Sequence, residues 1–294
     1  MSGAPSQSSF GKGEVSAVSG AAVRVGVYGA LGRMGQMVVR ALLSPSDPMD
    51  MSAALVAALV PTNNAQLGRD IGPLVGLGAV GVSASCDIAS AVRICQVIVD
   101  FSTPAATAML APAAAQAGVA LVIGTTGLHQ PALAAIAAAS ERVPIVHSAN
   151  MSPGINVLLG LLRRAAAVLP EYDAEIVEVH HRRKRDAPSG TALLLADAID
   201  SSRGQLGVAP SAIRTGREGL LGVRPPGEIG VMALRGGDVA GDHTVMLLGN
   251  GERLELTHRA SSREVFAEGA LRAARWVAGK PAGLYDMEDV LELK

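Results

Sequence analysis

The hydrophobic pattern opens with the run Val23 to Tyr28, which reads as a buried strand. Gly29 to Gly35 follows, then an apolar-periodic segment that reaches about Leu43. Short apolar runs recur at Ala53 to Val60, Val97 to Phe101, Ala120 to Ile123 and Pro144 to His147. Helical patterns separate several of them, notably Pro104 to Ala117 and Gln130 to Ser140. Such alternation predicts a parallel sheet doubly wound by helices. After Asn150 the pattern changes. A helix from about Ile155 to Val168 leads to a strand from Glu175 to His181, a polar loop and a helix from Thr191. Glu228 to Leu234, Asp242 to Leu248 and Arg253 to His258 then read as strands with Gly-rich connections, predicting a mixed or antiparallel sheet in a second α+β unit. The last helical pattern runs roughly from Val265 to Ala278.

The 294 residues suffice for one large or two ordinary domains. Hydrophobic residues make up 49% but aromatic ones only 2%, so the core must be built from Ala, Val, Leu and Ile, which suits a helix-covered parallel sheet. Lys and Arg total 25 against 26 Asp and Glu; nothing global draws the chain to nucleic acid or an anionic membrane, and any anion site must be local. Two cysteines, Cys86 and Cys95, are too few for a disulfide framework and lack a metal-type CxxC spacing. A cytoplasmic setting and no bound metal are expected. Residues 1–22, Ser- and Gly-rich without a long apolar stretch, read as a flexible leader. The apolar stretch from Ala105 to Ile123 is interrupted by Pro112, Gln116 and Gly118, so it breaks into helix and strand rather than crossing a membrane.

Gly29-Ala30-Leu31-Gly32-Arg33-Met34-Gly35 has GxxGxxG spacing at a strand-to-helix turn, where small residues let a pyrophosphate approach backbone N–H groups. Placed there, it predicts a Rossmann-like dinucleotide site; a structural turn is the alternative. The acid that such a site offers to the adenosine ribose is missing. Val60 stands in its place, followed by Pro61, Thr62, Asn63 and Asn64, with no carboxylate until Asp70. Arg33 is near enough in the loop to be a phosphate contact.

Three further strand ends carry small polar residues: Asp100 to Pro104, Gly124-Thr125-Thr126-Gly127, and Ser148-Ala149-Asn150-Met151-Ser152. They can surround a nicotinamide ring, or simply cap the next helices. The densest chemical signal is Glu178-Val179-His180-His181-Arg182-Arg183-Lys184-Arg185-Asp186-Ala187-Pro188-Ser189-Gly190-Thr191-Ala192. Ser189 or Thr191 can cap the helix, whose first-turn N–H groups suit a carboxylate. Lys184 can supply a cation or a proton, and His180 and His181 would face opposite ways if both lay in the strand. A solvated basic loop is the bland reading. A nucleic-acid patch is opposed by the balanced charge and the scarcity of stacking aromatics.

This last motif resembles the signature of the dihydrodipicolinate reductases, now named for the 4-hydroxy-tetrahydro substrate. Asn156 and the run Ala260-Ser261-Ser262-Arg263 with Phe266 also match in order, and the resemblance covers about residues 23–294. It implies a dinucleotide-binding domain at 23–151, a substrate and tetramerisation domain at 152–261, and a segment at 262–294 that returns to the first. It places cofactor phosphates at Gly29 to Met34 and the nicotinamide near Gly124, Thr125, Thr126, Ser148, Ala149, Asn150 and Met151. Substrate carboxylates fall at His181, Ser189, Gly190 and Thr191, and the chemistry at His180 and Lys184. NADH or NADPH is the implied cofactor, a small dicarboxylate the substrate, and a homotetramer the assembly. Another small-acid reductase is disfavoured by the segment from His180 to Thr191, and a cofactor-sensing protein without catalysis by the presence of His180 and Lys184.

Overall fold

The computed structural model describes residues 21–45 and 52–294. The leader expected over 1–22 therefore lies outside the described residues save its last two. The chain runs through β1 (Val23–Tyr28), α1 (Arg33–Leu43), β2 (Ala53–Leu59), α2 (Ile71–Leu74), β3 (Ala84–Ser85), α3 (Ile88–Ile94), β4 (Val97–Asp100), α4 (Pro104–Ala117), β5 (Ala120–Ile123), α5 (Gln130–Ser140) and β6 (Pro144–His147). It continues with α6 (Pro153–Val168), β7 (Asp173–His180), α7 (Gly190–Gly204), β8 (Ile213–Arg214), β9 (Ile229–Arg235), β10 (Gly241–Leu248), β11 (Arg253–Ala260), α8 (Glu264–Val277), β12 (Gly283–Tyr285) and α9 (Met287–Val290).

The first sheet has the order β12-β6-β5-β4-β1-β2-β3, parallel throughout, as the alternation predicted. Its central strands are covered on both faces, which is why they are mainly apolar. Val25, Val27, Val97 and Val99 pack on one face against α1 and the Ala-rich side of α8, while Ile98, Leu121 and Ile123 pack on the other against α4. The chain order reverses at β1, which pairs with both β2 and β4. The register aligns Tyr28 with Leu59 and with Asp100, Asp100 with Ile123, and Ile123 with His147. All these strands thus end along one edge, where a ligand crevice belongs.

The second sheet is mixed, in the order β11-β10-β7-β9-β8. β7 alternates strictly: Ala174, Ile176, Glu178 and His180 are buried, and the residues between them are not. The apolar half of that face packs against α6 and α7, whereas its end, near the C-terminus of β7, turns polar.

Two differences from the sequence reading matter here. The strand expected to reach His181 stops at His180, because the His181 N–H is taken by the Val239 carbonyl; the two histidines do not alternate across a strand. The short elements α2, α3, β3, β8, β12 and α9 carry too little period to be seen in sequence. Asp70 and Asp87 cap α2 and α3.

Candidate active site

The glycine loop is shaped by close backbone contacts. Gly29 has φ 77°, and a Cβ there would lie 2.6 Å from the Phe101 carbonyl oxygen; one on Gly35 would lie 2.0 Å from the Gly29 oxygen. Gly32 stands at the N-cap of α1 without a side-chain cap and no acid occupies the first turn, so the helix start is left open to an anion. A cavity of about 580 Å³ adjoins the loop, walled by Tyr28, Val60, Pro61, Thr62, Cys86 and Met109 among others. A cradle closed to any Cβ beside such a cavity fits a dinucleotide.

The strand-end loops are knitted together by Asp100, which is fully buried. Its carboxylate accepts from the Ser102 hydroxyl at 2.5 Å and N–H at 2.9 Å, from Thr107 at 2.6 Å and from Thr125 at 3.1 Å. Burial raises its proton affinity against these four donors. The capping alternative also holds locally: Thr103 caps α4 and Ser152 caps α6. Ser148 donates instead to the Asn150 carbonyl, and Met151 is buried, while Thr126 and Ala149 are exposed at the edge. A Cβ on Gly124 would strike the Phe101 ring at 2.2 Å.

At the ribose end, Val60 is 2% exposed and packs on the core, yet it also borders the cavity beside the glycine loop with Pro61 and Thr62, and no carboxylate stands there. Asp70 accepts from the N–H groups of Gly72, Val80 and Gly81 and is not a ribose ligand. Arg33 lines a different cavity, described below. The two pockets flanking this end are lined by uncharged residues alone among those described, Thr62, Asn63, Asn64 and Gln66 included. NADH and NADPH should therefore both work, with kcat/KM within about tenfold, equal to roughly 1.4 kcal/mol. Measured at fixed salt, a preference beyond a hundredfold would show that another residue reads the ribose; Thr62→Glu should move the ratio toward NADH.

A second cavity, of about 610 Å³, joins the two sheets. Arg33 and Met34 of the glycine loop line one side, His181, Arg183, Lys184 and Asp186 of the basic loop the other, with Arg263 and Phe266 at the start of α8. Lys184 Nζ lies 2.8 Å from Asp186. Arg263 donates to Nε2 of His181 at 2.9 Å, and desolvation with the Arg263 charge lowers the proton affinity of that ring. A neutral His181 accepting at Nε2 carries its proton on Nδ1, a buried nitrogen without a partner.

Behind this cavity lies a polar cluster at the end of the buried face of β7. Glu178, fully buried, accepts from both terminal nitrogens of Arg235 at 2.7 and 2.8 Å, from Nδ1 of His180 at 2.5 Å and from the Ser189 N–H at 3.0 Å. The charged donors hold its carboxyl below the usual range despite desolvation. Ser189 caps α7 at Ala192 and meets Nε2 of His243 at 3.2 Å; burial pushes His243 down to about 4. His180 and His243 stack edge to face, 5.2 Å between centroids. Asn150 then bridges the halves of the site, donating to the Thr191 hydroxyl at 3.0 Å, while Gly190 is exposed at the helix start.

Sequence reasoning named Lys184, His181, Arg33 and Met34, which the structure brings to one cavity. His180 is not on that wall; it is 9% exposed and held against Glu178. Arg235, His243 and the joining role of Asp100 were missed. A charged Glu178 two residues before His180 on an otherwise apolar face was a signal of a buried partner, but nothing local identifies Arg235 as that partner.

Comparison with known proteins agrees with this geometry. The family profile "Dihydrodipicolinate reductase, N-terminus" matches residues 23–151 and "Dihydrodipicolinate reductase, C-terminus" matches 154–291. The chain is 51% identical to the 4-hydroxy-tetrahydrodipicolinate reductase of Anaeromyxobacter sp. (strain Fw109-5), over 92% of this chain and 98% of that one. It is 49% identical to the enzyme so named from Thiobacillus denitrificans, over 92% and 99%. Among solved structures it resembles a dipicolinate-bound dihydrodipicolinate reductase from Paenisporosarcina sp. TG-14, with TM-score 0.72, 26% identity, and 90% and 97% coverage. An amine dehydrogenase from Mycobacterium smegmatis, 15% identical with TM-score 0.57 over 90% and 95%, shares the fold alone.

Proposed function

This chain belongs to the dihydrodipicolinate reductase family, and from that premise we propose how its cleft divides the work of the reaction. The enzyme is an NAD(P)H-dependent oxidoreductase that converts 4-hydroxy-tetrahydrodipicolinate to tetrahydrodipicolinate with loss of water, in lysine and diaminopimelate synthesis. The observation that carries the assignment of roles is the cavity shared by the glycine loop and the basic loop, which puts substrate-binding cations beside a dinucleotide cradle.

Residues 23–151 with 262–294 hold the cofactor, and 152–261 hold substrate. Gly29, Ala30, Leu31, Gly32, Arg33 and Met34 take the phosphates; Gly124, Thr125, Thr126, Ser148, Ala149, Asn150 and Met151 border the nicotinamide. When bound, the reduced nicotinamide supplies a hydride. The chain's own residues do the rest. His181, Ser189, Gly190 and Thr191 form the carboxylate site, with His181 on the cavity wall and the first turn of α7 as donor. Lys184 holds the proton that the reduced ring needs, kept in place by Asp186, and His180 is its companion in proton handling.

No helix among the described residues is long and apolar enough to cross a membrane, and we place the enzyme in the cytoplasm. The second sheet leaves Val177, Val179, Met232, Leu234, Met246 and Leu248 only partly covered on its open face. That face suits a homotetramer.

Pyridine-2,6-dicarboxylate, a planar dicarboxylate, should compete with substrate and protect residues 184–191 from hydrogen exchange. Protection only elsewhere, or competition with cofactor alone, would move the substrate site away from this loop.

A further inference from the structure

We propose that Glu178 and Arg235 act as a positioning pair for the reacting groups, fixing the hydrogen-bonding form of His180 and tying it to the segments that carry Lys184 and Ser189. The inference rests on the reading that His180 and Lys184 take part in the reaction.

The geometry leaves the pair few alternatives. Oε1 of Glu178 accepts from Arg235 and from the Ser189 backbone, and Oε2 accepts from Arg235 and from His180. A carboxylate with those four donors cannot itself donate, so Nδ1 of His180 carries a proton and Nε2 is left to exchange one. Gly241 keeps that edge of the ring clear: a Cβ there would lie 2.9 Å from Nε2. Arg235 reaches further, donating at 2.7 Å to the carbonyl of Asp186, whose carboxylate meets Lys184. One guanidinium and one carboxylate thereby link the end of β7, the end of β9, the basic loop and the N-cap of α7. A buried ion pair is weak evidence of stability by itself. Here its hydrogen bonds go to the segments that carry the reaction.

Glu178→Gln tests this with little change in shape. Only one side of the amide can accept. Facing its oxygen toward Ser189 keeps that backbone N–H and one Arg235 nitrogen paired, and turns its NH2 toward His180 and the other Arg235 nitrogen, whose hydrogen bond is lost. The ring answers by moving its proton from Nδ1 to Nε2, as when the carboxylate partner of a catalytic histidine becomes an amide.

The experiment compares wild type, Glu178→Gln, Arg235→Lys, His180→Gln and the Glu178→Gln, His180→Gln pair. For each, cofactor Kd, KM, kcat and the imidazole 15N signals with the rings neutral are measured. Glu178→Gln should keep cofactor Kd within about threefold and lose kcat on the order of a hundredfold. Its His180 signals should report the Nε2–H form in place of Nδ1–H. Added to His180→Gln, the same change should cost less than about threefold more, because its effect passes through the ring. Arg235→Lys, which keeps the charge but not the fork, should lose about tenfold in kcat, and it decides the matter if Glu178→Gln does not fold.

Native kcat in Glu178→Gln or Arg235→Lys, an unchanged tautomer, or losses that multiply in the double variant would overturn the proposal while leaving His180 in the mechanism. Near-native kcat in His180→Gln would remove the role of His180 itself, and the proposal with it.

Discussion

Lys184→Met should lower kcat by about two orders of magnitude or more, the loss expected on removing a positioned acid. The Lys184 side chain is 18% exposed, so its stem is largely packed and its ammonium is presented to the cavity beside Asp186. Methionine keeps much of that stem and removes the charge and the exchangeable protons. Folding and cofactor affinity should be nearly unchanged, since the glycine loop lies on the opposite wall. Steady-state kinetics with a cofactor titration separate the effects. A variant within about threefold of native kcat would take Lys184 out of proton transfer.

Gly35→Ala should act on the other half of the site. Gly35 is buried in the first turns of α1, and the added methyl would stand 2.0 Å from the Gly29 carbonyl oxygen and 2.9 Å from the Ala30 Cα. Those atoms are backbone and cannot swing aside, so the loop must shift by on the order of an ångström, enough to spoil N–H groups aimed at phosphate. Cofactor Kd should rise more than about a hundredfold, and stability should fall by about 1–3 kcal/mol, the usual cost of overpacking. Gly204→Ala is the control, because a Cβ there meets nothing within 4 Å. Equal cofactor affinity in the two variants would mean that the loop does not hold the pyrophosphate.

The parts legible in sequence were those encoded by local period. β1, the glycine loop and α1 follow one another within a short stretch, and the central strands of the first sheet are mainly apolar because both faces of that sheet are covered. The basic loop announced itself because so many cations and small residues stand between a strand and a helix. What escaped depends on pairing over distance. Arg235 faces His180 only because β9 runs parallel to β7 in one register, and His243 faces Glu178 only because β10 runs antiparallel in another. Neither register can be read from the alternation of either strand alone. The same limit hid the position of His180, whose neighbour His181 reaches the cavity because the strand ends one residue earlier than its pattern suggested.

The central claim, that this cleft reduces a cyclic dicarboxylate with a nicotinamide cofactor, is tested most directly by a coupled assay. Pyruvate and aspartate semialdehyde are supplied with the condensing enzyme, this protein and NADPH or NADH, and oxidation of the cofactor is followed. The account predicts oxidation that requires both precursors, the condensing enzyme and this protein together, and that slows by about a hundredfold or more with Lys184→Met. Cofactor oxidation that proceeds without the condensation product, or none when all components are present, would contradict it.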